Sequence, residues 1–209
     1  MQLYDCSTAP SPRRVRIFLA EKGISIPTRQ VDLRGGEHLR PAFRAINADA
    51  TVPVLVLDDG TAIADAVAIC CYLEELQPEP ALIGRTAKER ALTIASNRQL
   101  ERDGFYAVME AFRNSTPGLK GRALPGPDGY EQIPALAERG GARVSRFFAY
   151  LDRRLAVTPY VAGDRYSIAD ITAFITVEFA KWAKLTVPPS CPHLARWVAN
   201  QSARASAKA

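Results

Sequence analysis

Residues 52–76, VPVLVLDDGTAIADAVAICCYLEEL, contain the pattern that decides the fold. Two apolar runs, Val54–Leu57 and Thr61–Ile63, are separated by a loop that ends in Asp-Gly, a pair typical of a β-hairpin. Asp65 can then cap a helix to about Leu76, because apolar residues recur there at helical spacing. The stretch therefore predicts two antiparallel strands followed by a helix.

The residues before this stretch predict a strand, a helix and a second strand. Leu3-Tyr4 is a short apolar strand candidate. Ser11-Pro12 predicts a helix start, since Ser suits the N-cap and Pro the first helical position, and Gly23 predicts the end of that helix. Ile24–Val31 is the next strand candidate. The order β-α-β, loop, β-β-α is the thioredoxin-like topology, so we expect an α/β thioredoxin-like N-terminal domain over residues 1–77.

Strand signals stop after residue 77. Gln77-Pro78-Glu79-Pro80 cannot continue a helix, because two prolines stand one residue apart, and this predicts a linker over residues 78–86. Residues 87–209 predict an all-α C-terminal helical-bundle domain. Its predicted helices are Ala87–Arg113, Arg139–Leu155, one opened by a capping-box pattern at Ser167–Asp170 and running through Phe179, and about Leu194–Asn200.

Two segments of this second region have no regular pattern. The Gly- and Pro-rich residues 114–130 predict an irregular loop, whose length indicates a mobile or functional segment. The small and polar tail, residues 202–209, is expected to fray.

The composition is that of a globular protein with a mild positive charge. The 209 residues include 27 basic and 22 acidic ones, for a net charge of +5. The basic residues are scattered, so a nucleic-acid partner is not favoured, whereas an anionic small substrate suits the charge. No apolar run approaches the ~20 residues that span a bilayer, and the N-terminus lacks a signal-peptide pattern. We therefore expect a cytoplasmic protein that does not bind membranes.

The cysteines and histidines have no metal-binding spacing. The four cysteines, Cys6, Cys70, Cys71 and Cys191, form no CxxC pair, and there are only two histidines. We therefore expect free thiols and no metal.

Several segments resemble the cytosolic glutathione transferase family, in the style of bacterial theta-like or nu-like members. They are Pro12–Ile17 with Glu21–Ile24, Val31–Leu33 with Gly36–His38, Val52–Leu55, Asp65–Ile69 with Tyr72-Leu73, and Ala162–Asp170. The resemblance covers nearly the whole chain. It implies a detoxification enzyme with glutathione as co-substrate, no metal, and a homodimeric assembly.

The resemblance places glutathione, an extended peptide, against Val52-Pro53. A cis proline there would let Val52 offer its N–H and C=O to the cysteinyl backbone; the alternative is an ordinary edge-strand proline. The helix start at Asp65-Ala66 would hold the γ-glutamyl end, with backbone N–H groups for the carboxylate and Asp65 for the ammonium. Asp65 can be the N-cap at the same time.

Two further residues affect the predicted glutathione site. The family usually has Ser at the position of Ala66, so one hydroxyl donor to the carboxylate is missing. His38 matches a residue that contacts the glycyl carboxylate in theta-like relatives; its alternative is a surface-loop histidine.

The catalytic position departs from the family pattern. Catalysis needs the glutathione thiolate, which a hydroxyl near a helix N-terminus stabilises, but Ala9 stands where Ser, Thr or Cys is usual. Ser11, at the place of an Asn in nu-like relatives, and Thr8 are the candidate donors, with a plain N-cap as the alternative for Ser11. Cys6, which would indicate thiol–disulfide chemistry, lies too early, and Tyr4 is predicted to be in the core.

The long helix from Ala87 predicts the wall of the second-substrate pocket. Its candidate residues are Phe105, Tyr106, Met109, Phe112 and Arg113. They suit an apolar electrophile, although half of them must face the helical core. The charges of Arg98, Glu101, Arg102 and Asp103 could pair across a two-fold interface, where Glu101 or Asp103 could reach the neighbouring site's ammonium.

Three functions agree with these residues. The first is conjugation of glutathione to an apolar electrophile. The second is glutathione binding with little turnover, which Ala9 and Ala66 favour. The third is glutathione-dependent disulfide or peroxide reduction, which nu-like relatives manage without a catalytic cysteine.

Overall fold

The computed structural model describes residues 1–209, and its N-terminal part contains a four-stranded sheet. The strands are β1 (Gln2–Asp5), β2 (Thr28–Gln30), β3 (Val54–Val56) and β4 (Ala62–Ile63). They lie in the order β2-β1-β3-β4, with β2 parallel to β1 and with β3 antiparallel to both of its neighbours. This arrangement confirms the predicted thioredoxin-like topology and its hairpin.

Three helices accompany the sheet, namely α1 (Pro10–Lys22), α2 (Pro41–Arg44) and α3 (Ala66–Leu76). As predicted, Asp65 is the N-cap of α3, because its carboxylate accepts hydrogen bonds from backbone N–H groups of the first turn. Gly23 ends α1 in the left-handed conformation, with φ at 65°. Both caps are local features, which explains why a short stretch of sequence predicts them.

The start of α1 differs from the prediction. The helix begins at Pro10, and its N-cap is Ala9, which makes no side-chain hydrogen bond. Ser11 is therefore the second helical residue, and its assignment as N-cap was wrong. Pro10 suits the first position because its ring presets φ, and the residue before a proline is extended, as Ala9 is with ψ at 139°.

The C-terminal part is helical throughout. Its helices are α4 (Ala87–Leu100), α5 (Tyr106–Ser115), α6 (Pro134–Leu155), α7 (Ile168–Ala180) and α8 (Pro192–Ser202). A π-helical turn over Glu101–Phe105 joins α4 to α5, so the predicted long helix is interrupted by one wide turn. The capping box at Ser167 opens α7 as predicted. The division into residues 1–77 and 87–209 stays a prediction.

Helix α7 lies at the centre of the packing. It is buried on almost every side, and one continuous hydrophobic cluster links it to Val15 and Phe18 of α1. The two parts of the chain therefore share one core.

The C-terminal tail is ordered against α1, so the prediction that it frays was wrong. Residues Ala205–Lys208 form a 3-10 helix. The guanidinium of Arg13 donates to the carbonyl of Ala207 at 2.7 Å, and Arg204 forms a two-pronged ion pair with Glu21 at 2.9 and 2.8 Å. These charged anchors on α1 hold a tail whose own residues carry little apolar surface.

Lys22, the last residue of α1, binds the linker that follows α3. Its ammonium is fully buried and pairs with Glu74. It also donates to the carbonyls of Gln77, Pro78 and Pro80 at 2.8, 3.2 and 2.6 Å. The chain between α3 and α4 is thus bound to the last residue of α1.

Candidate active site

The predicted glutathione-binding residues lie along one edge of the sheet. Because β1 and β3 are antiparallel, as are β3 and β4, the residues after β1, before β3 and after β4 lie at the same edge. The parallel strand β2 ends there too. The strand order therefore places His38 near one end of this edge, Val52 and the loop after β1 in the middle, and Asp65 at the other end.

Val52 offers an unpaired peptide group at this edge. The Val52–Pro53 bond is cis, as expected, and neither the N–H nor the C=O of Val52 has a hydrogen-bond partner in the chain. Val52 is half-buried, and buried backbone groups are nearly always paired in proteins. An extended peptide lying here could pair with both groups.

Asp65 and Ala66 stand at the opposite end of the edge from His38. One oxygen of the Asp65 carboxylate accepts from the N–H groups of Val67 and Ala68 at 2.9 and 2.8 Å. The side chain is exposed, so its other oxygen can face a ligand ammonium. Since Asp65 occupies the next two amides, the Ala66 N–H is the donor left for a ligand carboxylate at this helix start.

Ser11 provides the free donors at the start of α1. The Ala9 N–H bonds to the Cys6 carbonyl, and Pro10 and Pro12 have no N–H. The Ser11 N–H has no partner in the chain. This residue therefore carries both a free amide and a hydroxyl where the helix dipole is positive.

The Ser11 hydroxyl is held by a buried arginine. Nη2 of Arg14 donates to Ser11 Oγ at 3.0 Å, and Nη1 donates to Glu101 Oε1 at 2.6 Å. Arg14 also lies 4.6 Å from the ring centroid of Phe105, and Arg98 binds the other Glu101 oxygen at 2.7 Å. Because Ser11 Oγ accepts from the guanidinium, its own proton points elsewhere and is free to donate.

The other candidate donors near this loop are less well placed. Thr8 is exposed, and its Oγ1 lies 3.4 Å from the Cys6 sulfur. Cys6 is buried directly after β1, and Tyr4 is in the core against Phe43, as predicted. The structure thus gives Ser11 the better position, although Thr8 stays a candidate.

His38 is buried and already has a partner. Its side chain is 5% exposed, and its Nε2 lies 2.9 Å from Nη2 of Arg122, a residue of the loop after α5. Burial first, and then the charges of Arg122 and Arg113, lower the pKa of His38. The imidazole is therefore neutral near pH 7, and the surface-loop alternative for His38 was wrong.

The residues of the predicted pocket wall divide between the surface and the core. Phe105 is buried against Phe179, whereas Tyr106 is 40% exposed. Met109, Phe112 and Arg113 are half-buried. Phe112 packs edge-to-face on Trp182, with ring centroids 5.5 Å apart, so the half-exposed Trp182 extends the aromatic surface.

Glu101 is not free to pair across an interface. Its side chain is 1% exposed and is held by Arg14 and Arg98 of the same chain. Asp103 pairs with Arg102 at 2.8 and 3.0 Å. The expectation that Glu101 reaches a neighbouring site was therefore wrong.

Comparisons with known proteins agree with this geometry. The family model of the glutathione S-transferase N-terminal domain matches residues 8–76, and that of the C-terminal domain matches residues 102–205. Glutathione S-transferase 2 of Saccharomyces cerevisiae is 38% identical over all of this chain and 88% of its own length. The chain belongs to the glutathione S-transferase family.

Solved structures of transferases share the whole fold. A glutathione S-transferase domain-containing protein of Marinobacter aquaeolei is 42% identical, with a TM-score of 0.91 over 99% of both chains. Gtt2 of Saccharomyces cerevisiae is 38% identical, with a TM-score of 0.91 over 100% of this chain and 99% of its own. The resemblance to the transferase family is confirmed over the full length of the chain.

Three residues of this transferase site were missed by sequence reasoning, namely Arg14, Arg122 and Trp182, and Glu101 was given a different role. Arg14 and Glu101 are 87 positions apart and meet because α1 packs on the C-terminal helices. The spacing of Ser11 and Arg14, three residues apart, would have been a usable signal, because such residues share a helix face.

Two kinds of feature are absent from the structure. No group of three or more His, Cys, Asp or Glu side chains is arranged to hold a metal ion. None of the helices combines the length and the apolar character needed to cross a bilayer.

Proposed function

We propose that the protein is a glutathione transferase that conjugates glutathione to an apolar electrophile. The observation that carries the proposal is the unpaired peptide group of Val52, which lies between the cap of α3 and the free donors of Ser11. A peptide backbone, an α-amino acid group and a thiol are the three parts of glutathione that such an edge would bind.

The tripeptide would lie along the sheet edge. Its cysteinyl backbone pairs with Val52, its γ-glutamyl ammonium faces the free oxygen of Asp65, and its γ-glutamyl carboxylate accepts from the Ala66 N–H. A hydrogen bond to a charged group contributes about 1.5–3 kcal/mol. Since Ala66 has no hydroxyl, we expect binding weaker than a serine would give.

Ser11 is the residue that we propose to activate the thiol. Its N–H and O–H would donate to the sulfur, which favours the thiolate once the thiol proton has left to solvent. The charge of Arg14 on the Ser11 oxygen strengthens the O–H as a donor. The sulfur lone pair then forms the carbon–sulfur bond, and the leaving group departs with its electron pair.

The electrophile would lie against the wall formed by α5 and the turn after α7. Tyr106, Met109, Phe112 and Trp182 present apolar surface there with a few polar groups, as ligand sites usually do. Aromatic electrophiles would gain from the edge-to-face cluster of Phe112 and Trp182.

A second candidate is a glutathione-binding protein with little turnover. Ala9 is the observation that favours it, because the N-cap of α1 has no side-chain donor. Four thiols without disulfide partners agree with a reducing compartment, and we propose a cytoplasmic location for either function.

We also propose a homodimer built on α3 and α4. Leu76 and Leu92 are 55% and 59% exposed on these helices, and the ion pair of Arg90 with Glu75 holds the two helices side by side. Two copies of this face would bury both leucines. Light scattering that finds only monomers at micromolar concentration would contradict the dimer.

One set of assays separates the functions. The pure protein is incubated with glutathione and an aryl halide, an organic hydroperoxide or a mixed disulfide, and glutathione affinity is measured by calorimetry. Turnover of the halide supports conjugation, and turnover of only the other two indicates reduction. Binding without turnover indicates the binding protein, and absence of binding overturns all three.

A further inference from the structure

Two arginines, Arg113 near the end of α5 and Arg122 in the loop that follows, have no counter-ion. Arg113 donates to the carbonyls of Ala123, Arg122 and Leu124 at 3.3, 2.6 and 2.7 Å, which shapes the loop. Neither Arg113 nor Arg122 has a carboxylate within 4.0 Å. Burial first, and then the nearby charge of Arg122, lower the pKa of Arg113. Half-buried cations of this kind call for an anion.

This loop reaches across to the N-terminal part. Arg122 Nη2 lies 2.9 Å from His38 Nε2. A guanidinium has only donors, so Nε2 must be the acceptor and the imidazole proton resides on Nδ1. The contact through Nε2 therefore orients Arg122. The Nδ1–H group of His38 is buried and has no acceptor in the chain.

His38 and Arg122 lie where the proposed function would place the glycyl end of bound glutathione. Glutathione has its γ-glutamyl end at Asp65 and its cysteinyl backbone at Val52 in the proposed function, so its glycyl end must run away from Asp65. His38 follows β2, the strand farthest from β4. Farther along the same loop, a Cβ on Gly126 would lie 3.7 Å from the carbonyl of Asp49, three residues before Val52.

We propose that Arg122 binds the glycyl carboxylate of glutathione, and that His38 acts as its positioning residue. The inference rests on the proposed glutathione site. One carboxylate then receives its cation from the C-terminal part of the chain, while the rest of the tripeptide contacts the N-terminal part. Asp32 is the acidic group that also influences His38, and its Oδ1 accepts from the Gly35 N–H.

The test compares two ligands that differ only at the glycyl carboxylate. Glutathione and its glycyl ethyl ester are titrated by calorimetry into the parent, Arg122→Gln, His38→Gln and Lys120→Gln. His38→Gln should lose part of the preference for glutathione, because His38 positions Arg122. Lys120 is the matched control because it is an exposed cation of the same loop without an ion pair. We expect the parent to prefer glutathione by about tenfold or more, Arg122→Gln to lose that preference while still binding the ester, and Lys120→Gln to retain it.

Each remaining outcome overturns a specific statement. If Arg122→Gln still prefers glutathione over the ester as the parent does, the role of Arg122 is overturned. The same holds if this preference is lost only in His38→Gln. If Arg122→Gln loses the same amount of affinity for glutathione and for the ester, the arginine shapes the loop and does not bind the carboxylate. If the parent binds neither ligand, the glutathione site itself is refuted.

Discussion

Replacing Ser11 by Ala tests how the thiol is activated. The change removes the hydroxyl, whereas the backbone N–H of residue 11 stays. A hydrogen bond to a charged group contributes about 1.5–3 kcal/mol, and one pKa unit corresponds to about 1.36 kcal/mol. We therefore expect the pKa of bound glutathione's thiol to rise by roughly one to two units.

The same substitution also has a cost for folding. Ser11 Oγ is the acceptor for Nη2 of Arg14, and Nε of Arg14 is already buried without a partner. Loss of a buried partner destabilises by about 1–3 kcal/mol, and we expect the lower end because Ser11 is half-exposed and water can replace it. Since Ser11 is not the N-cap of α1, loss of capping adds nothing.

The assay is thiolate absorbance in the ultraviolet against pH, with glutathione bound to the parent, Ser11→Ala and Thr8→Ala. Conjugation rates below the thiol's pKa should fall about 10- to 100-fold in Ser11→Ala, in step with the lost thiolate, while glutathione affinity changes little. A larger shift in Thr8→Ala would move the role to Thr8. Identical titrations of all three proteins would refute side-chain activation and leave the Ser11 N–H as the donor.

Three further results are expected. Ala66→Ser should tighten glutathione binding in calorimetry by restoring a donor to the γ-glutamyl carboxylate, and unchanged affinity would mean that this group lies elsewhere. Gly140→Ala should lower the free energy of unfolding in urea by about 1–3 kcal/mol, because a Cβ there lies 2.6 Å from the Ala111 backbone nitrogen. Gly141→Ala, with its nearest atom at 4.0 Å, is the control and should leave the free energy of unfolding unchanged or raise it slightly, because Ala is the better helix former. Burial lowers the pKa of His38, so the unfolded chain binds this proton first as pH falls, and stability should decline below the ordinary histidine pKa of about 6.5. His38→Gln should show a shallower decline there, and parallel pH curves would contradict a buried neutral imidazole.

Local signals account for what the sequence predicted well. The Asp-Gly hairpin and the Asp65 cap each depend on a few consecutive residues, and both formed where expected. The start of α1 was misplaced because Pro10 and Pro12 both suit a first helical turn. The ordered tail could not be predicted from its composition, since its anchors, Arg13 and Glu21, belong to α1.

The site was predictable only where its residues are adjacent in the chain. Val52-Pro53 and Asp65-Ala66 are short motifs, and the structure places both at one sheet edge. The contacts of Arg14 with Glu101 and of His38 with Arg122 join residues 87 and 84 positions apart. Such pairs depend on how the helical part packs on the sheet, which hydrophobic periodicity alone does not determine.

Lys22 fixes the joint between the two parts of the chain by binding the carbonyl groups of the linker. The linker is rich in proline, so its carbonyls outnumber its N–H groups, and one ammonium supplies the missing donors much as a bound cation would. We therefore expect this joint to stay fixed when a bulky molecule binds. Under the proposed function, we then expect the selectivity among electrophiles to depend on the side chains of Tyr106, Met109 and Trp182 and not on movement at the linker.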